Sequence, residues 1–385
     1  MNKSLGYWLA FCFLLISGHA SADDRVPVVW DGFAYPYKPG APEKCDEKLN
    51  PSCAIFFDKK YDEDFWKKVE KIKDTKYKIV SSSNEAGDSL HVAVSVGLEW
   101  IIKGSGSSDD EYYFCANVIL YSATGNKLNL VNSKPNCWHQ RLNAEDKADL
   151  RGFLQKFIST NPSKTAQTVE KRLLAEMSEI INNNSNDLIR LKLGTVSSSA
   201  SVFANEPAKK DLLNYYVAEL FSSYASKALG RPIIPASTST GLLDLRFASA
   251  NRRSSISLPL ATHTIDLHIH PFGKNTYKEN NFDFELSAAF IRVNHKSDEM
   301  DSLIRDVNFG ISSAPRRVIK DLLDSEEMKN LILLDQLIEE TSNQLAKPNK
   351  EWLKQHVVKN SLDKVLPGFE ALSQDLKKEL IQSDK

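Results

Sequence analysis

The chain has 385 residues, with 49 basic side chains against 50 acidic ones and a formal net charge of −1. Such a length can bury a sizeable core without staples, and by the usual domain size it makes two domains, or one with an extension. The charge balance gives no reason to expect nucleic acid or an anionic membrane surface as a partner.

The first residues, MNKSLGYWLAFCFLLISGHASADD, have the layout of a secretory signal peptide. Lys3 supplies the positive start, Leu5 to Ile16 the apolar run, and Ala20-Ser21-Ala22 the small-residue cleavage site. The apolar run is shorter than the roughly 20 residues a spanning helix needs. Residues 1–22 are therefore expected to be removed, leaving a periplasmic or secreted chain with no membrane span. Export to an oxidising compartment means that Cys45, Cys53, Cys115 and Cys137 should pair. Three connectivities are possible, and the short spacings favour Cys45–Cys53 and Cys115–Cys137. That pairing leaves no free thiol for nucleophilic chemistry, and no Cys-x-x-Cys dithiol occurs in the chain.

Residues 23–60 are rich in proline and aromatics and cannot form a regular helix. They read as an extended arm clipped by a Cys45–Cys53 loop. Residues 61–186 read as a first α+β unit. Tyr61 to Lys73 carries Phe65, Trp66, Val69 and Ile72 at helical spacing. Leu90 to Ile102 and Tyr112 to Tyr121 form a hairpin of alternating and β-branched residues. Lys127 to Val131 is a candidate third strand, with Cys137 just beyond it. Asp146 to Ile158 and Ser163 to Ile181 are expected helices. In the second of these, Val169, Leu173, Met177, Ile180 and Ile181 form a core stripe.

Residues 187–314 read as a second, β-rich unit. It contains the clearest helix, Ala208 to Leu229, which ends at Gly230 with Pro232 beyond. Strands are expected at Leu188 to Val196, Gly241 to Ala248 and Ser254 to Leu258. From Leu260 to Val293 a pair of strands is joined by a polar loop. Residues 315–385 read as a helical C-terminal segment. The fold class is α+β, with two sheet-plus-helix units and a possible diverged duplication.

The densest set of metal or acid–base groups lies in the second unit. On a strand, Ile265, Leu267 and Ile269 face one way, and Asp266, His268 and His270 face the other. Two imidazoles about 6.5–7 Å apart can reach one ion. Asp266-Leu267-His268-Ile269-His270 resembles the Asp-x-His-x-His signature of metal-dependent amidohydrolases and related phosphoesterases. That resemblance implies a (β/α) barrel, a zinc or manganese ion and hydrolysis, with His263 and His295 near enough to enlarge the site. The chain departs from the family pattern after His270, where His295 and His356 follow but no series of strand-end ligands does. Alternation alone also gives any strand a polar outer face, and this second explanation needs no cofactor.

Other signatures are missing. There is no Gly-x-Ser-x-Gly elbow, no phosphate-binding glycine loop and no His-Glu-x-x-His. The expectation is an exported cell-envelope protein with a binding, scaffolding or assembly role and another envelope protein as its partner. A metal-dependent hydrolase is the alternative and a periplasmic ligand-binding module the third reading. A deep apolar pocket between the two units would mark the third.

Overall fold

The computed structural model describes residues 25–36, 51–73, 76–81, 89–103, 109–125, 127–159, 168–182, 190–199, 207–230, 233–234, 242–247, 252–279, 282–298, 302–317 and 326–358. The expected signal peptide, Cys45 and the end of the expected helical C-terminal segment lie outside the described residues.

The first described elements are β1 (Val26–Pro36), the short helix α1 (Cys53–Phe56) and α2 (Lys59–Val69). The expected arm is thus a sheet strand over half of its described length, and the rest, read as unable to form a helix, holds α1 and the start of α2. The prolines of β1 stand near its ends, at Pro27 and Pro36, and leave Val28 to Tyr35 free to pair. Val28, Val29, Trp30, Phe33 and Ala34 are all buried. Next come β2 (Tyr77–Ser81), β3 (Ser89–Ile102), β4 (Asp110–Thr124) and β5 (Lys127–Leu142). The third strand is far longer than expected, so Cys137 lies inside it, directly opposite Cys115. Beyond Asn129, β5 pairs only with β4 among the described residues. A strand with one free edge can hold Pro135.

The helices α3 (Ala144–Ala148), α4 (Leu150–Ser159) and α5 (Val169–Asn182) follow. Then come β6 (Leu191–Ser198), α6 (Pro207–Leu229), β7 (Ile233–Ile234), β8 (Leu242–Phe247) and β9 (Arg252–Ser257). Gly230 caps α6 at φ +65°, as its position after the last apolar turn predicts.

The first sheet has the order β2-β1-β3-β4-β5-β9-β8, with a further pairing between β1 and β8 that closes a ring. β3 runs along one edge of β1, while β2 and β8 share the other in succession. Inside the ring pack Ala34, Ala93, Ile119, Tyr121, Leu130, Leu245, Phe247 and Ile256. The outer face carries Val92, Val94, Val96, Phe114 and Val118, covered by Phe65 of α2, Phe157 of α4 and Leu173 and Met177 of α5.

The second sheet begins with β6 and β7 and continues with β10 (His263–Ile269), β11 (Gly273–Glu279), β12 (Phe282–Ser297), β13 (Ser302–Ser312) and β14 (Arg316–Arg317). The helices α7 (Glu326–Ala346) and α8 (Lys350–His356) and the strand β15 (Val357–Val358) complete the described chain. The order is β15-β13-β12-β10-β6-β7, with β11 and β14 also on β12. The polar loop expected after His270 is largely a strand. β10 and β11 pair with β12 in succession, at registers one residue apart, so they form one interrupted arm of a long hairpin. β13 went unread in the sequence, and β14 and β15 are short strands within the segment expected to be helical.

One apolar cluster joins both sheets. Ile265, Leu267, Ile269, Ile291, Val293 and Phe309 meet Leu213, Val217 and Phe221 of α6 and Leu331, Leu334 and Ile338 of α7. Leu98, Trp100, Tyr113 and Cys115, at the far ends of β3 and β4, enter the same cluster. A bulge makes this possible. Val96 pairs with Ala116 but Glu99 pairs with Phe114, so one extra residue flips the face on which the even-numbered side chains point.

Cys115 and Cys137 are disulfide-bonded with Cα atoms 4.1 Å apart. Cys53 is disulfide-bonded as well; the partner expected for it, Cys45, lies outside the described residues. Replacing Cys115 and Cys137 together by serine should lower stability by about 2–4 kcal/mol, because the bridge removes loop entropy from the unfolded chain. The check is the urea midpoint under oxidising conditions, where an unchanged value would show that the bridge contributes nothing.

Candidate functional site

The Asp266, His268 and His270 side chains stand on the sheet face away from α6 and α7. Ile265, Leu267 and Ile269 are at most 1% exposed and face the helices, as alternation requires. The interruption between β10 and β11 follows directly, and the His270 backbone N–H still donates to the Phe290 carbonyl at 3.1 Å.

Each of the three side chains has its own partners. Asp266 lies over Gly194, where a Cβ would come within 2.3 Å of its Oδ1. That oxygen accepts the Thr195 backbone N–H at 2.7 Å, and Oδ2 pairs with Lys296 Nζ. The β6–β10 register shifts here, so Thr195 is the residue that the bulge leaves over and Asp266 takes its N–H. His268 is held between two hydroxyls, Ser197 Oγ at 2.9 Å from Nδ1 and Ser199 Oγ at 3.1 Å from Nε2. Burial lowers its pKa, and the neighbouring charges of His270, Arg292 and Lys210 act the same way. Its imidazole is therefore neutral at pH 7, with one nitrogen a donor and one an acceptor. His270 Nε2 lies 3.0 Å from Asn308 Oδ1.

The two imidazoles meet edge to face, with centroids 5.1 Å apart. Asp266 turns from them toward Lys296, so a cation at its carboxylate would share the site with an ammonium group. Among the described residues no three His, Cys, Asp or Glu side chains gather in a way that could hold a metal ion. His263 and His295 cannot enlarge the pair. They stack on each other at 5.2 Å, and the register of Ile265 with His295 places both on the core face. The barrel implied by the five-residue resemblance is likewise not formed. β10 lies in a sheet between antiparallel β12 and parallel β6.

Beside His270 the same face carries a groove of about 480 Å³ lined by His270, Phe290, Arg292, Asn308 and Val358. Phe290 lies across Gly310, where a Cβ would come within 2.6 Å of its ring. Arg292 forms a two-pronged ion pair with Asp306, which raises the guanidinium pKa and lowers that of the carboxyl. A second cleft of about 200 Å³ lies between β12 and α7, around Glu285 and Lys329. Glu285 sits between Lys274 and Lys329, and their hydrogen bonds lower its pKa.

A buried carboxylate escaped the sequence reading. The bulge in β3 turns Glu99 into the core under α1 and α4, where it is 8% exposed. It accepts the Ser52 backbone N–H at 2.7 Å, the Ser52 hydroxyl at 2.9 Å and the Tyr112 hydroxyl. It thus fastens the start of α1, next to the disulfide-bonded Cys53, onto the sheet. The available signal was Gly97, which interrupts the run Val92, Val94, Val96 before a charged residue.

No known family matches the sequence, and no curated protein does. Solved structures resemble part of it. A hypothetical protein, CT253, from Chlamydia trachomatis is 11% identical, with a TM-score of 0.26 over 42% of this chain and 97% of that one. Protein XCC0632 from Xanthomonas campestris, of the DUF330 family, is 9% identical, with a TM-score of 0.22 over 43% of this chain and 86% of that one. A putative neuraminyllactose-binding hemagglutinin homolog from Helicobacter pylori is 8% identical, with a TM-score of 0.24 over 44% and 90%.

The Glu99 pKa is raised to about 7, chiefly by burial, against the opposing hydrogen bonds of Tyr112 and Ser52. The folded state then holds this proton more tightly than the unfolded chain, whose value is 4.5. Stability from this group is full below pH 4.5 and is lost as the pH rises to about 7. At about 1.4 kcal/mol per unit the loss is about 3 kcal/mol at most. Urea midpoints from pH 4.5 to 8 should fall for the wild type relative to Glu99→Gln; parallel curves would refute the assignment.

Proposed function

We propose that this is an exported cell-envelope protein with a binding role, which meets another envelope protein through the face of the second sheet that no described helix covers. The observation that carries this reading is that the described helices cover only one face of that sheet. Two long helices seal one face, while the other bears the groove beside His270. Phe290 and Val358 give the groove an apolar floor, and Arg292, His270 and Asn308 surround it with polar groups. An aromatic ring and an arginine set among smaller polar groups are the residue types that dominate binding energy at protein interfaces.

The compartment rests on separate support. The Cys115–Cys137 disulfide suits an oxidising compartment, as does the signal-like start of the chain with cleavage after Ala22. Among the described residues no helix is long and apolar enough to cross a membrane.

A photoreactive phenylalanine analogue at position 292 tests the surface in intact cells. It should give one discrete protein adduct, whereas the same group at Lys67, exposed on α2, should give none. The absence of any adduct at 292, or the same adduct at both positions, would sink the assignment. Elemental analysis of protein purified without chelator checks the hydrolase alternative. Stoichiometric zinc or manganese that disappears in a His268→Ala/His270→Ala variant would favour hydrolysis over binding.

A further inference from the structure

A second polar cluster lies inside the ring of the first sheet. Asp31 sits in a bulge of β1. Trp30 pairs with Val92 but Phe33 pairs with Val94, so Asp31 and Gly32 together stand against Ala93. Gly32 adopts φ +87°, a conformation that side chains with a Cβ rarely take. Asp31 Oδ2 lies 2.7 Å from His91 Nδ1. On the other side of the ring, His91 Nε2 lies 2.9 Å from Ser89 Oγ. Tyr121, directly across the register from His91, stacks on the imidazole with centroids 5.1 Å apart and planes 16° from parallel. Its hydroxyl donates to the same Asp31 oxygen.

This arrangement fixes the tautomer. An ionised carboxylate only accepts, so Nδ1 carries the proton and donates to Asp31. In the neutral ring Nε2 is then the acceptor, and the Ser89 hydroxyl donates to it. Exposure follows the same order. The Asp31 side chain is 8% exposed and that of His91 14%, while Ser89, the first residue of β3, is half-buried at the rim. A hydroxyl at the rim, a base behind it and a buried carboxylate orienting that base have the geometry of an activated nucleophile.

We propose that Ser89 is an acyl-accepting nucleophile, with His91 as its base and Asp31 as the positioning residue, acting on carboxylic esters or thioesters. Ser89 Oγ forms the bond to the acyl carbon as its proton passes to His91 Nε2. The carbon–oxygen or carbon–sulfur bond to the leaving group breaks, and that group takes the proton from Nε2. Water, deprotonated by the same nitrogen, then releases the free acid and restores the hydroxyl. The transient imidazolium faces the Asp31 carboxylate and the Tyr121 ring, and both stabilise a cation. This site is separate from the binding face of the second sheet, so either can fail without the other.

The test uses the full disulfide-bonded chain and a fluorophosphonate probe. The probe loses fluoride and phosphonylates an activated serine. Mass spectrometry should find the label on the peptide holding Ser89, and Ser89→Ala should abolish it. Asp31→Asn should slow labelling at least tenfold, and His91→Gln should do the same. No label on the wild type, or a label that persists in Ser89→Ala, overturns the proposal. Ser89→Cys keeps the test open if the two buried variants do not fold. Its thiol should react with iodoacetamide at pH 7 at least tenfold faster than free cysteine, and an equal rate also overturns it.

Discussion

The two sheets share one core because β3 and β4 change sides partway along their length. Before the bulge at Val96 to Glu99, the even-numbered residues of β3 pack under α4 and α5. After it, Leu98, Trp100 and Ile102 pack with α6 and the second sheet. One extra residue thus lets a single hairpin serve two layers. Without it Trp100 would point back into the first core, and the cluster of β10, β12 and α6 would lose its floor. The Cys115–Cys137 bridge stands on this crossing stretch, where β4 carries Tyr113 and Cys115 into the shared cluster and Cys137 of β5 packs against it. Covalent and apolar contacts therefore hold the same few residues.

The bulge also sets the cost. A carboxylate at a core position must lose its water, and Glu99 regains only part of that through Ser52 and Tyr112. What the fold gains is a polar clasp between α1 and the sheet. The same logic holds at Asp266. Its carboxylate takes the N–H that the β6 bulge releases, and its second oxygen is neutralised by Lys296. Asp266 is therefore part of the scaffold of its strand pair, and the histidines beyond it are held by hydroxyl and amide partners.

How far the sequence could be read follows from the same irregularities. Periodicity suffices where an element is regular. The stripe Val169, Leu173, Met177, Ile180 and Ile181 is buried as its spacing predicts, the α6 helix ends at Gly230, and the Ile265 to Ile269 face lies in the core. The α+β class was legible from strands arriving in runs. What escaped depends on contacts between segments far apart. β1 looked like an arm because its prolines were weighed without knowing that they fall at its ends. β11 looked like a loop because GKNTYKE is polar on both faces, and it becomes a strand only by pairing with β12. Its residues gain little from burial, so local composition holds no trace of the pairing. β13 and the ring closure between β1 and β8 are likewise properties of the assembled chain.

Parity explains why the sites were harder still. A one-residue bulge reverses which side chains look inward, so any alternation argument is correct only up to the next bulge. Asp31, Glu99 and Asp266 each stand at a bulge or opposite one. At such a place the ladder leaves a backbone group over, or re-aims a side chain, and a carboxylate can be buried there with donors already in reach. These three carboxylates are thus placed by backbone irregularity rather than by motif. Asp31 shows the consequence most clearly. It is 60 residues from His91 in sequence, it is flanked by a glycine in a conformation no helix or strand uses, and it meets His91 and Tyr121 only because β1 pairs in parallel beside β3. A search for paired residues at fixed spacing cannot find such a cluster. Glycine beside a charged residue within an otherwise apolar strand, as in Asp31-Gly32 and in Gly97-Leu98-Glu99, is the local mark that both places share.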